Sequence, residues 1–366
     1  MSSTAPSGPP ADSPADSPAD SPADSPADSH SGRLRRVAPA IGLFLLAPFI
    51  GEYVLGNISP SGLVLFPILA LLYGSGALLI REATRRAGRG WPTIAVLAVA
   101  YALLEEGPVD QLLWNDSYAG HDYLHGPSFV PLLGTSVEAV QSVIAIHAVW
   151  SVCVPIAIVE TLAVGRRTEP WPGRLGLVVT AAVFVFGAGF IFVTTYEEER
   201  FLAPVGLQVT ALAVIVGLVV LAFRLPRRAR SLGGPPAEGR VPAPSWVGVA
   251  ALVGTSAYWG PSALAGWALY EWVGVVVWLV VGVAGIGLVA RWSGRAGWDQ
   301  RHRFALAAGA LVTYVWAAFP VEPELIVDPP AVDLAGNVVF GLVAVSVLVL
   351  AGRAAGRGEY SGDTVT

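Results

Sequence analysis

Residues 174–196, RLGLVVTAAVFVFGAGFIFVTTY, and 202–223, LAPVGLQVTALAVIVGLVVLAF, are two long apolar runs separated by Glu197-Glu198-Glu199-Arg200-Phe201. About 20 helical residues cross the hydrocarbon core of a bilayer. Each run is long enough, and the connection is too short to be anything but a turn. Arg166, Arg167 and Arg174 stand at the far end of one run and Arg224 at the far end of the other. Short cytoplasmic loops collect arginine and lysine, so this stretch reads as a membrane hairpin with its acidic turn outside.

The same pattern extends in both directions. Further crossings are expected at 38–57, 60–80, 92–113, 136–162, 246–267, 271–290, 304–320 and 333–352, ten in all. Arginines occupy every second connection: Arg33, Arg35 and Arg36; Arg81, Arg85, Arg86 and Arg89; then Arg224, Arg227, Arg228, Arg230 and Arg240; Arg291, Arg295, Arg301 and Arg303; and Arg353 and Arg357. The alternate loops hold only Arg200. Losing or adding one helix would invert every later loop. The fold class is therefore all-α, a polytopic transmembrane helix bundle with both termini cytoplasmic, and the expected location is the inner (plasma) membrane. Arg35-Arg36 before an apolar run resembles a secretion signal, but no small-residue cleavage site follows, so the first crossing reads as retained.

Of 366 residues, 54% are hydrophobic and 13% charged, half the charge of an ordinary soluble domain. All 22 basic residues are arginine. The net charge of −5 belongs to the tail: Ala-Asp-Ser-Pro repeats over residues 11–29 supply Asp12, Asp16, Asp20, Asp24 and Asp28, and the body is formally neutral. Such a tract has nothing to bury and a proline every fourth residue, which predicts disorder. The organisation follows: a repeat tail 1–33, helices one to six over 34–224, a linker 225–244 rich in Gly, Pro and Arg, helices seven to ten over 245–353, and a tail 354–366. No segment has the clustered positive surface of a nucleic-acid binder. The expected partner is the lipid bilayer. Cys153 stands alone and closes no intramolecular disulfide. Trp91, Trp114, Trp171, Trp246, Trp272 and Trp292 fall near crossing ends, as interfacial anchors would. Gly74, Ser75 and Gly76, and Gly187 and Gly189, are small enough for helices to approach closely.

Chemistry concentrates in the third helix, Tyr101-Ala-Leu-Leu-Glu105-Glu106-Gly107-Pro108-Val109-Asp110-Gln111. An acid at the centre of a membrane helix costs about 2.5 kcal/mol or more, so such residues face protein or water. Glu106 and Asp110 share one α-helical face, and Glu105 lies about 100° away. Pro108 cannot donate to the Leu104 carbonyl, which predicts an opened turn. The fourth helix supplies Gln141, His147 and Ser151, the last two on one face, and Pro155 frees the Ser151 carbonyl. A long outside loop, Asn115 to Thr135, carries Asp116, His121, Asp122 and His125; it is either a cover for the site or a solvated loop. Glu197 to Glu199 and Glu322, Glu324, Asp328 and Asp333 read as exterior loop charges. The catalytic candidates are Glu105, Glu106 and His147, with Asp110, Ser151 and Gln141 as a surrounding polar cluster. No phosphate-binding glycine motif, haem attachment pair or zinc-protease helix is present, so no cofactor or metal is expected.

The Glu105-Glu106 pair and His147-Ala-Val-Trp-Ser151 resemble the paired-Glu and His-x-x-x-polar motifs of the CAAX protease and bacteriocin-processing (CPBP) intramembrane proteases. That resemblance covers about 60 residues and implies peptide hydrolysis, with Glu105 as general base, Glu106 its neighbour and His147 positioning water or stabilising an oxyanion. Asp110 stands where that family has an arginine, Ser151 where it usually has asparagine, and a second intramembrane histidine is missing. The wider stretch from Tyr73-Gly-Ser-Gly through Gly90-Trp91-Pro92-Thr93 to Glu106-Gly107 resembles uncharacterised multi-pass membrane proteins of GC-rich bacteria. Three functions fit the residues: an intramembrane hydrolase, a proton- or cation-coupled transporter using the uncompensated acids, and a noncatalytic membrane scaffold.

Overall fold

The computed structural model describes residues 26–226, 239–265, 270–323 and 326–357. The repeat up to residue 25, Glu324, and Arg227, Arg228 and Arg230 lie outside them. Ten long helices form an all-α polytopic bundle. Helix α1 runs Pro26–Pro48 and continues as a π turn, Phe49–Tyr53, so it begins inside the segment read as tail. Helix α2 spans Pro60–Arg86 and α3 Trp91–Val109, four residues short of the expected end at 113; α4 spans Val137–Leu162. Then follow α5 Arg174–Glu199, α6 Val205–Arg224, α7 Pro244–Ala265, α8 Tyr270–Ser293, α9 Gln300–Ala317 and α10 Pro330–Arg357. Among the described residues the strands are a two-residue hairpin, β1 Phe129–Val130 with β2 Thr135–Ser136.

Eight of these helices are long and apolar enough to cross a membrane; α7 and α9 are the other two. Helix α9 opens on Gln300-Arg301-His302-Arg303 and is capped by Asp299, whose side chain accepts from Arg301 N and His302 N. Its Leu311, Thr313 and Tyr314 are fully buried, whereas α5, α6 and α8 expose valines, leucines and phenylalanines along their outer faces. That inversion, apolar outside and polar inside, is what a bilayer solvent selects.

Two contacts position the site. Trp150 of α4 donates its indole N–H to the Ala310 carbonyl at 2.8 Å and stacks on Tyr314 at 4.4 Å, fixing α4 against α9. Close backbone approach sets the other side. A side chain on Gly74 would enter the Phe44 backbone of α1, and one on Gly187 would come within 2.8 Å of Leu71. Gly189, read as equivalent, has nothing within 4 Å.

The arginines counted as a loop at 81–86 are helical, and two of them are buried. Arg81 Nε lies 3.1 Å from Glu160 Oε1 and Arg85 Nη2 2.7 Å from Glu160 Oε2, while Arg81 Nη1 meets Glu82 at 2.5 Å. Trp171 is not an interfacial anchor but fully buried, 3.5 Å beneath the Arg81 guanidinium. Counting charges along a sequence cannot reveal that a partner 79 residues away has drawn them inside.

Replacing Gly187 with leucine is expected to destabilise the purified protein by about 1–3 kcal/mol through overpacking, and Gly189→Leu to leave it unchanged. Thermal unfolding in detergent reads both.

Candidate functional site

Four helices depart from α geometry, and they do so at one level of the bundle. π turns occupy Phe49–Tyr53 in α1, Ala70–Gly74 in α2, Glu105–Val109 in α3 and Ile144–Cys153 in α4. Each closes on an N–H that reaches back five residues: Val54 to Phe49, Ser75 to Ala70, Asp110 to Glu105 and Val154 to Val149. Such turns re-aim the side chains they carry and are frequent at functional sites. In α3 the cause is local. Pro108 has no N–H, so the ladder is taken up by Asp110 N to Glu105 O at 2.8 Å and Leu113 N to Glu106 O at 3.0 Å. The helix then stops at Gln111, which has φ +69. Its side chain secures that left-handed residue by accepting from Ala203 N at 2.8 Å.

The π turns deliver Glu52, Tyr73, Glu105 with Glu106, and His147 with Ser151. His147 lies between two carboxyl groups: Nε2 is 2.5 Å from Glu106 Oε1 and Nδ1 is 3.0 Å from Glu105 Oε2. The first contact is a hydrogen bond; the second has the distance of an ion pair without the angle of a hydrogen bond, and leaves Nδ1 unsatisfied. All three residues are buried, at 2% exposure for His147, 4% for Glu105 and 6% for Glu106. On straight α geometry only one of two adjacent glutamates would face the ring. With π turns on both helices, both do.

Sequence reasoning missed five residues of the site. Glu52 is buried, accepts from Asn57 Nδ2 at 2.9 Å, and lies within hydrogen-bonding reach of the Tyr73 hydroxyl. The rings of Tyr73 and Tyr101 pack at 5.7 and 6.5 Å from the imidazole. A side chain on Gly51 would meet Ser151 Oγ at 2.8 Å and Tyr73 at 3.3 Å, so this glycine lets α1 close on the site. Tyr118, from the long loop, is half-buried over Asp110 and Glu106; burial first and those carboxylates second push its hydroxyl well above the ordinary tyrosine range. An acid inside the apolar run Phe49-Ile-Gly-Glu52-Tyr53 was a readable signal for Glu52. No sequence signal marked the tyrosines.

Asp110 stands beside Glu106 within hydrogen-bonding reach, and its Oδ1 accepts from Leu112 N at 3.1 Å. Gln141 belongs elsewhere: its amide donates to the Val275 carbonyl of α8 at 3.4 Å. Ser136 caps α4 by accepting from Ala139 N. The long loop is a tied cover. Glu199 accepts from Asn115 Nδ2 at 3.0 Å and Ala119 N at 2.9 Å, and Glu271 accepts from Ser128 N at 2.8 Å. Glu199 is thus a structural tie, as are Asp328 and Asp333, which hold Ser61 and Ser59 at 2.7 Å. His125 sits 3.0 Å from Asp122, and His121 packs against Tyr123. Backbone hydrogen bonds from Leu124 and His125 hold the Asp122 carboxyl below the ordinary aspartate range. Among the described residues no three or more His, Cys, Asp or Glu side chains are arranged to hold a metal ion.

Five buried polar atoms at this site have no hydrogen-bond partner in the protein: Glu105 Oε2, Glu106 Oε2, His147 Nδ1, Tyr101 Oη and Gln111 Nε2. Buried polar groups are satisfied in the great majority of cases, by protein or by ordered water. All but the Gln111 amide belong to His147 or to a residue packed against its ring, which makes this a place that could hold exchangeable protons, water or a polar substrate group.

The chain belongs to an uncharacterised membrane protein family, whose model matches residues 43–353. All four π turns and every member of the acid and histidine cluster fall within that match. No curated protein and no solved structure matches the chain.

His147→Leu leaves two buried carboxyl groups facing one another without their base, so a loss of about 3–5 kcal/mol is expected. Combining it with Glu105→Gln and Glu106→Gln is expected to restore much of that loss, because the charges go with the partner. Thermal unfolding of His147→Leu, of the Glu105→Gln/Glu106→Gln pair and of all three together measures the coupling.

Proposed function

We propose that this protein is a proton-coupled membrane transporter of the plasma membrane, with the Glu52, Glu105, Glu106, Asp110 and His147 cluster as its proton-binding centre. The observation that carries the reading is the ratio of acid to base: Glu105 and Glu106 flank one imidazole, and two further buried acids, Asp110 and Glu52, stand beside that group. A fully ionised set would leave excess negative charge buried in a low dielectric, and interiors neutralise such excess with protons or cations. His147 bridges Glu105 and Glu106, which gives a proton a path from one carboxyl to the other without a large movement. Tyr73, whose ring packs against the imidazole, lies within hydrogen-bonding reach of Glu52. The interrupted α ladders of the four helices support the reading, since π turns are frequent at functional sites and transporter sites form where helices are discontinuous.

In proteoliposomes under an imposed pH gradient, the parent protein is expected to carry protons as read by an interior pH dye. Glu106→Gln is expected to reduce that flux by roughly a hundredfold, the scale of losing a positioned proton carrier. Equal flux from both would count against the reading.

The 2.5 Å contact of Glu106 with His147 also supports a second reading, a divergent intramembrane protease like the CPBP family. There Glu105 would take a proton from water, and His147 would hold that water or the developing oxyanion. Cleavage of membrane-embedded test peptides abolished by Glu105→Gln is its expected signature. Unchanged cleavage would remove it.

A further inference from the structure

The opposite, arginine-bearing end of the bundle holds a cavity of about 350 Å3 lined by Arg85, Arg89, Arg167, Arg303, Glu160 and Gln300, with Gly88, Gly90, Trp91 and Thr168 completing its wall. Three separate parts of the chain build it: the α2–α3 turn, the end of α4 with its following loop, and the first turn of α9. Four arginines and one glutamate line it.

That carboxylate is already engaged. Glu160 Oε1 accepts from Arg81 Nε at 3.1 Å and Arg85 Nε at 2.8 Å, and Oε2 accepts from Arg85 Nη2 at 2.7 Å. Arg89 donates both terminal nitrogens to carbonyls at the end of α6, Phe223 and Leu225. Among the described residues, neither Arg89 nor Arg167 meets a carboxylate. Arg167 Nε and Nη2 are buried and have no hydrogen-bond partner at all. Two parallel donors on a fixed plane are the fork that carboxylate and phosphate oxygens accept from. Gln300 is held ready by its own amide, which donates to Thr161 Oγ1 at 2.8 Å and leaves its carbonyl to Arg303 Nη1 at 3.2 Å. The N-terminus of α3, beginning at Trp91 on the cavity wall, adds its positive dipole end. The rim is open: side chains on Gly88 would meet nothing within 4 Å.

We infer that this cavity binds a phosphate group, held by Arg167 with Arg89 and Arg303. The site is independent of the acid cluster and of whichever chemistry that cluster performs. Its volume lies at the lower end of small-molecule sites, which suits a phosphate with a small substituent. Two sources supply that group from this side of a membrane: a phospholipid headgroup and a soluble phosphate or phosphate ester.

The test uses the full chain, purified in phosphate-free detergent buffer, with inorganic phosphate as one probe. The second probe is reconstitution into nanodiscs of phosphatidylcholine with or without phosphatidylglycerol. Inorganic phosphate raising the unfolding temperature by several degrees, with roughly tenfold more needed by Arg167→Gln, supports the site with a soluble ligand. Stabilisation by phosphatidylglycerol but not by inorganic phosphate, lost in Arg167→Gln, supports it with a lipid headgroup. Arg174→Gln, an exposed arginine outside the cavity, is expected to respond as the parent does, and Arg303→Gln serves should Arg167→Gln fail to fold. Failure of both probes to stabilise the parent, or equal responses from parent, Arg167→Gln and Arg303→Gln, would overturn the inference.

Discussion

The imidazole of His147 meets two carboxyl groups, and the π turns of four helices converge on that arrangement. A lone histidine or a lone glutamate is costly at this depth, and neither would justify the distortions that surround them. Together they need four helices to bring side chains to one point. Helices α1 to α4 supply them by abandoning the α ladder over one turn or more. Gly51 lets α1 close on Ser151 and Tyr73, Trp150 anchors α4 to α9, and the outer loop is tied down by Glu199 and Glu271.

Charge is separated along the bundle into two centres of different construction. At one end the acids outnumber the base, and five polar atoms stay unsatisfied. At the other, Arg81 and Arg85 pair with Glu82 and Glu160 in a buried ion-pair network, and the cavity beside it is lined by more arginines than acids. The first has the composition of a group that gains and loses protons. The second has a rigid floor and a basic wall, suited to holding an anion in place. Both depend on α4, which carries His147 in its middle and Glu160 near its end, so movement of this helix would be felt at both.

Most of the architecture was legible. Long apolar runs and alternating arginines predicted ten helices at nearly their observed positions, because both follow from the bilayer rather than from packing detail. Glu105, Glu106 and His147 were legible for the same reason: each interrupts an apolar run where interruption is expensive. What the sequence hid is what depends on local geometry or distant partners. Ideal α spacing put Glu105 about a quarter turn from Glu106 and so allowed one of them to reach the ring; the π turns brought both. Glu52 interrupts an apolar run and was readable as a buried acid, but only the π turn at Phe49–Tyr53 shows that it joins this cluster. Arg81 and Trp171 looked like side markers because positive loops and interfacial tryptophans usually are, and only the folded chain puts one beneath the other with Glu160 beside them.

On the proposed reading, the carboxyl groups around His147 carry exchangeable protons. Infrared difference spectroscopy of the purified protein reads them directly, through the carbonyl stretch of protonated carboxylic acids and its shift in heavy water. A carboxylic acid band that changes as pH is stepped through the neutral range, and that is reduced or displaced in both Glu106→Gln and His147→Leu, is the predicted result. A spectrum with no pH-dependent carboxylic acid band in that range, or one untouched by either substitution, would contradict it.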